Sequence, residues 1–342
     1  MTQKFGDKFL ILAIISLFIF SIGFVQHRVP NVKMNEPQQH GLSVTNDDLT
    51  GIRIALYESY SSFTDPRVRE SRTALFNMLT WMNASVEIIN RTDIELGALW
   101  AFEILVIPEG LGPFIESNLR ASGREAIRQW VKAGGSYVGV RGSSSIAVTE
   151  GYFEGKHETF DLGLINGTSI GMPEYGYIEV SKLLINRACT GPNLSDMPDE
   201  VHALFRTGRY FVPNPGQEII CIANYSYNNQ PAMIASHFGL GNVFISSPHF
   251  EYEENSDRDG TDYMDDYNDN DSEWPLVMEI IKWQIEDSPI VVNTTTWGIS
   301  TTISTSPNES LSIPLGMVLV GTSVGVLFVV YAGVVLIRKN RV

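Results

Sequence analysis

Apolar and polar positions along the central part of the chain fall into blocks whose period changes. Ile52–Tyr57, Val86–Ile89, Ile104–Ile107 and Tyr137–Val140 are short, almost unbroken apolar runs, the pattern of strands covered on both faces. Between the first two, Val68, Leu75, Met78, Leu79 and Met82 recur at near-helical spacing. Asp65 stands where an N-cap belongs and Pro66 at the first helical position, which predicts a helix over Pro66–Asn83. Leu119–Lys132 is amphipathic and stops at Gly134-Gly135. Glu273–Asp287 predicts a closing helix with Trp274, Val277, Ile280, Ile281 and Ile285 turned inward, and 200–251 reads mostly as strands. Strands alternating with helices predict an α/β fold, a parallel sheet with helices on both faces over residues 51–287. In such sheets the site lies at the carboxyl ends of the strands.

The ends have a different pattern. Phe9–Val25 is an apolar run of 17 residues preceded by Lys4 and Lys8. It reads as a signal peptide (1–25, with Ser21 and Gly23 near a cleavage point) or as an uncleaved N-terminal anchor. Residues 26–50 are polar and read as a linker. Residues 288–312 carry Thr294-Thr295-Thr296 and Ser304-Thr305-Ser306 and read as a Ser/Thr-rich stalk. Ile313–Ile337 is uncharged over 25 residues and is followed by Arg338-Lys339-Asn340-Arg341. That predicts a transmembrane helix over 313–337 and a cytoplasmic tail over 338–342. The expectation is a cell-membrane protein whose main domain is extracellular. Eight Asn-x-Ser/Thr sequons, at Asn83, Asn90, Asn166, Asn193, Asn224, Asn270, Asn293 and Asn308, fit glycosylation on that side. Cys189 and Cys221, the only two cysteines, are then a disulfide candidate, the alternative being two buried thiols.

The formal charge of −15 argues against a nucleic-acid partner, which needs a basic stripe. Much of the charge gathers between Glu253 and Asp271, where nine acids face a single Arg258. Asn255, Asp257, Asp259 and Asp266, with Gly260, match the oxygen spacing of a calcium loop. The alternative is a solvated acidic loop; no other cofactor is expected.

Candidate chemistry lies at two strand ends. Asn242–Ser246 runs into Ser247-Pro248-His249-Phe250-Glu251, and a His and a Glu two apart form the base and orienting half of a hydrolytic triad. Tyr137–Val140 runs into Arg141-Gly142-Ser143-Ser144-Ser145, the kind of sharp strand-to-helix turn that mounts a nucleophile. Arg141 at that turn cannot be one. A third strand ends in Pro108-Glu109-Gly110. With Leu162-Gly163-Leu164, Gly208-Arg209-Tyr210-Phe211, Ile222-Ala223-Asn224-Tyr225 and Gly239-Leu240-Gly241, these pieces in this order resemble the class I glutamine amidotransferase-like superfamily. The resemblance is to the amidotransferase-like domain at the N-terminus of some biotin-protein ligases, and it spans roughly residues 51–286.

The resemblance implies a flavodoxin-like parallel sheet flanked here by the two membrane segments, and a Cys-His-Glu triad. Of that triad only His249 and Glu251 carry over. The Cys position is Arg141, the following Ala-Gly is Gly142-Ser143, and the first Gly after Pro108 is Glu109. The expected pocket is Glu109, Gly110, Arg141, Gly142 and Ser143, with Arg141 directed at His249 and Glu251. It reads as an anion-binding pocket or as an internal ion pair of Arg141 with Glu109 or Glu251. The expected function is a membrane-anchored, non-catalytic binding or structural domain, its partner a small anion or a surface protein. The alternatives are a hydrolase using Ser143, Ser144 or Ser145 with His249 and Glu251, and an inert surface-coat component.

Overall fold

The computed structural model describes residues 48–59, 65–172, 178–253, 257–267 and 271–288. Strands β1 (Arg53–Tyr57), β2 (Ser85–Ile89), β3 (Ile104–Ile107) and β4 (Ser136–Val140) pair in parallel, in the order β2-β1-β3-β4. The connections are helices: α1 (Pro66–Trp81), the short α2 (Arg91–Glu95) and α3 (Gly112–Lys132). Asp65 caps α1 through the Arg67 amide at 3.1 Å, as its position predicted, and Asn83 ends the turn beyond it with φ of 62°. α3 begins earlier than the amphipathic period suggests, because two helical segments join across a kink at Arg120 (φ 56°, ψ 173°). The turn at α2 escaped the periodicity reading: Asn90 and Asp93 form a reciprocal capping box around a helix of only five residues.

Alternation along the strands divides the core into two layers. Ile54, Leu56, Ile104, Val106, Val138 and Val140 face α1 and the closing helix α5 (Trp274–Glu286), meeting Leu75, Met78, Leu79, Val277 and Ile281. Ala55, Tyr57, Leu105, Ile107 and Tyr137 face α3, meeting Ile115, Leu119, Ile127 and Trp130. Helices thus cover both faces of the parallel half.

The sheet is not parallel throughout. A six-residue helix, α4 (Gly142–Ala147), follows β4 and leads into β5 (Val148–Phe153), β6 (Lys156–Thr159), β7 (Ile165–Gly171) and β8 (Ile178–Ile185). Then come β9 (Glu200–Arg206), β10 (Arg209–Pro213), β11 (Ile220–Tyr225), β12 (Pro231–Phe238) and β13 (Gly241–Ser246). β13 pairs in parallel with β4, and beyond it β12, β11, β8 and β9 run antiparallel, completing nine strands. For β12 and β13 the reason is the length of the link. Gly239-Leu240 joins β12 to β13 directly, and a parallel pairing needs a crossover of a dozen residues or more. Strands β10-β7-β5-β6 form a separate four-stranded sheet.

The membrane reading is corrected. Phe9–Val25 and Ile313–Ile337 lie outside the described residues, as do 26–47 of the linker and 289–312 of the stalk, whereas Leu49 is buried and its amide donates to the Met82 carbonyl at 2.8 Å. Among the described residues no helix is long and apolar enough to cross a membrane. The longest, α3, has 21 residues and carries Glu116, Arg124, Glu125 and Arg128. Over the described residues the fold is therefore α/β with two mixed sheets and no membrane-spanning helix. The cell-membrane location, extracellular domain and cytoplasmic tail that depended on those spans are withdrawn. Asn90, one of the sequons, accepts the Thr92 amide at 2.7 Å through Oδ1 as a helix cap. Asn270, Asn293 and Asn308 lie outside the described residues. The disulfide is corrected too: Cys189 and Cys221 are free. Their sulfurs turn to different partners, Cys189 to the Pro192 carbonyl at 3.5 Å and Cys221 to Asn224 Oδ1 at 3.1 Å.

One close approach fixes how β4 meets the β3–α3 turn. A Cβ added to Gly142 would stand 1.5 Å from the Gly110 carbonyl oxygen. Neither backbone can give way without separating the two turns. Gly142→Ala is therefore expected to destabilise the domain by more than about 3 kcal/mol in denaturant titration. Gly155→Ala, at an open hairpin tip but with φ of 76°, should lose only about 1 kcal/mol.

Candidate functional site

β4 ends at Val140 and the chain turns at Arg141 with φ 53° and ψ −105°, a region that a side chain occupies at a penalty of about 1–3 kcal/mol. Three contacts hold it there. The Arg141 amide donates to the Ser246 carbonyl at 2.8 Å, the Ser145 amide donates to the Arg141 carbonyl at 3.1 Å, and Gly142 packs on Gly110. The expected elbow is present. Because Val140 pairs with Ser246, the segment after β13 arrives beside it and brings in His249 and Glu251.

The charged side chains form one buried line. Glu251 Oε1 lies 2.9 Å from His249 Nδ1 and accepts the Ser71 hydroxyl at 2.7 Å, while Oε2 accepts the Phe250 amide at 3.0 Å. The Ser71 oxygen in turn accepts the Glu109 amide at 3.1 Å. Burial alone would raise the Glu251 carboxyl, but the imidazole and these donors outweigh it and hold the group below the usual carboxylate range. At the other side of the ring, His249 Nε2 faces Glu109 Oε2 at 3.6 Å. Neither atom has a hydrogen-bond partner among the described residues. Glu109 Oε1 pairs with Arg141 Nη1 at 3.1 Å, and Arg206 Nη1 stands 4.0 Å away.

Arg141 is thus turned away from Glu251. Its Nε donates to the Arg206 carbonyl at 2.6 Å and its Nη2 to the Thr207 hydroxyl. The ion pair expected of Arg141 with either Glu109 or Glu251 is made with Glu109. A nucleophile must sit at the His Nε2 edge, and here a carboxylate occupies that edge. The side chains of His249 and Glu251 are both fully buried, and that of Glu109 is 3% exposed.

The three serines of the elbow are used elsewhere. Ser143 Oγ donates to the Ile107 carbonyl (2.6 Å) or the Val140 carbonyl (2.8 Å) and accepts the Val140 amide at 2.7 Å. Ser144 and Ser145 donate to the Arg141 carbonyl. None is bonded to His249. The expected calcium loop lies partly outside the described residues. Asn255 lies outside the described residues, Asp259 spends its two oxygens on the Glu253 and Thr261 amides (3.1 and 2.9 Å), and no group of three metal-ligating acids, His or Cys occurs among the described residues.

Sequence reading missed Ser71, Arg206, Thr207 and Tyr252, whose ring lies 5.2 Å from that of His249. Ser71 left a signal, a polar residue on the Val68–Leu75–Met78 stripe of α1. The other three lie in or after β-structure with no spacing to mark them.

A family model described as "Biotin-protein ligase, N terminal" matches residues 56–274. The chain belongs to that family. No protein of curated function matches it. Among solved structures, a glutamine amidotransferase is 16% identical with a TM-score of 0.41, covering 53% of this chain and 85% of that one. A putative thua-like protein from Bacteroides uniformis is 10% identical with a TM-score of 0.43, covering 68% and 91%. A cytoplasmic protein from Salmonella typhimurium LT2 is 10% identical with a TM-score of 0.40, covering 63% and 96%. The family assignment rests on the model match. In this biotin-protein ligase N-terminal domain the amidotransferase-like frame stands with Arg141 at its nucleophile position.

The buried line gives two expectations. Arg141→Ala leaves Glu109 buried without its nearest cation and should destabilise the domain by about 3–5 kcal/mol. Arg141→Gly loses the same pair but relieves the strained turn, so it should be about 1 kcal/mol less damaging in parallel denaturant titrations. The second concerns acid. Because the folded Glu251 carboxyl lies below its unfolded value, the stability it supplies is complete above the ordinary carboxylate range and is lost as pH falls through the folded value. Glu251→Gln should be less stable than the wild type at pH 7, with a flatter melting-temperature profile between pH 5 and 3.

Proposed function

We propose that this domain is a non-catalytic member of its family, acting by binding or as a structural unit rather than by amide hydrolysis. One observation carries the reading: the elbow residue is Arg141, and its guanidinium is closed on Glu109 while Glu109 also covers His249 Nε2. A hydrolase needs an attacking atom at that nitrogen and a path for substrate to reach it. Here the position holds an anion, and the imidazole is sealed. His249 and Glu251 then work as an internal charge network, in which each carboxylate is matched by a ring or guanidinium and by hydrogen bonds. The serine-hydrolase alternative finds no support, since Ser143 is committed to backbone groups on the β3 side of the turn.

The purified chain should therefore release no ammonia from glutamine and no alcohol from simple esters above the buffer rate. Arg141→Cys alone should remain inactive, because Glu109 still occupies the Nε2 edge. Its thiol should also be alkylated by iodoacetamide no faster than an ordinary cysteine, whereas Arg141→Cys with Glu109→Gly should react at least about 10-fold faster, as a thiol paired with imidazole does. Turnover by the wild type that vanishes in His249→Ala would overturn the reading.

A further inference from the structure

Beside the sealed network an open cleft of about 330 Å³ lies between the start of α3, the elbow and the β5–β6 hairpin. That is at the small end of ligand-sized pockets. Its inner end is formed by Arg141, Thr207, Arg209 and Ser247, and Phe160 and Phe153 line it. Leu111 and Phe114, 51% and 61% exposed, stand at its rim.

Arg209 is the group in this cleft without an obvious reason to be there. Its guanidinium lies 5.0 Å over the Phe153 ring and 3.4 Å from the Ser169 hydroxyl, and no carboxylate comes within ion-pair distance among the described residues. Burial, with Arg141 nearby, lowers its pKa, and only Glu158 opposes them. Arg141, which also lines the cleft, is already spent on Glu109, and Arg206 stands 4.0 Å from the same carboxylate. Arg209 is therefore the guanidinium of the cleft that has no paired carboxylate among the described residues, Glu158 being the acid whose charge acts on it. Lys156, exposed on the hairpin, adds a cation at the mouth; Glu154 and Glu158 also line the cleft and disfavour a dianion there. The main chain of Arg209 is held independently of its side chain, its amide by Ser247 Oγ at 2.6 Å and its carbonyl by the Tyr225 hydroxyl at 3.0 Å.

We propose that this cleft binds a small organic monocarboxylate with an apolar body, the carboxylate received by Arg209 at the inner end and the body lying against Phe160, Phe153 and Phe114. The proposal rests on the non-catalytic reading in giving the cleft a ligand rather than a substrate. A guanidinium offers a carboxylate two parallel donors, and the aromatic wall supplies the apolar contact.

The test is titration calorimetry on the full chain with 3-phenylpropionate, its uncharged analogue 3-phenylpropionamide and inorganic phosphate. The acid is expected to bind saturably at one site, with the amide and phosphate each at least about 10-fold weaker. Arg209→Gln should weaken the acid by at least about 10-fold and Lys156→Gln by a few-fold, with amide binding unmoved. An absence of saturable binding by the wild type, an amide or phosphate that binds as well as the acid, or Arg209→Gln binding like the wild type would each overturn it. Should Arg209→Gln show no cooperative melt, Lys156→Gln decides, and unchanged affinity there overturns the proposal. Ammonia release from glutamine is followed in the same preparations. Turnover there would defeat the non-catalytic reading, whatever the isotherm shows, and a flat isotherm without turnover would defeat only the ligand.

Discussion

A carboxylate placed deep in a folded domain has to be matched by positive charge or lose its own, and Glu109 sets that condition for everything around it. It sits at the end of β3, where the family pattern has glycine, and it meets its cation only because the neighbouring strand ends in a strained turn. Arg141 reaches Glu109 from that turn, and the turn comes close enough because Gly142 has no side chain to hold it off Gly110. The register of β4 against β13 then delivers His249 to the same carboxylate. The backbone contacts hold the elbow strained, and the ion pair is what that strained turn makes possible.

The site therefore divides into a closed part and an open part that share one residue. Glu109, His249 and Glu251 are shut away from solvent in one charged line, whereas the cleft over the β5–β6 hairpin reaches solvent at its rim. Arg141 lies on the boundary, its guanidinium turned inward to Glu109 while the residue still lines the cleft. Arg209 lines the cleft with no carboxylate at ion-pair distance among the described residues. In a hydrolase these two regions would be one, since the bound molecule must touch the imidazole. Their separation follows from one glutamate and one arginine.

Much of this was legible in the chain. The apolar runs of β1, β3 and β4 and the capped start of α1 are local patterns, and local patterns survive folding when packing agrees with them. The order of glycine-marked turns was enough to place Glu109, Arg141, His249 and Glu251 together. What the chain did not show is direction. Nothing in the residues says that Arg141 turns to Glu109 rather than Glu251, since both acids are near in the fold and neither in sequence. The antiparallel half was also misjudged, because an apolar strand reads the same whichever way its neighbour runs. The spacing at Asp259 pointed to a metal, but backbone amides claimed its oxygens first.

The place of β13 in the sheet has a consequence for how the chain assembles. β4 finds its second neighbour only in residues 241–246, about a hundred positions further along. During synthesis β1 to β4 are complete long before that strand exists, and until then the apolar edge of β4 has nothing to pair with. The hairpins β8–β9 and β11–β12 build from near neighbours and so form quickly, whereas β13 must slot between β12 and β4 as the closing piece. The elbow, whose amide is held by Ser246 at the end of that strand, acquires its geometry last. A ribosome that stalls before residue 246 leaves a half-sheet with a sticky side, and the strained turn is the part of the domain that no fragment can rehearse.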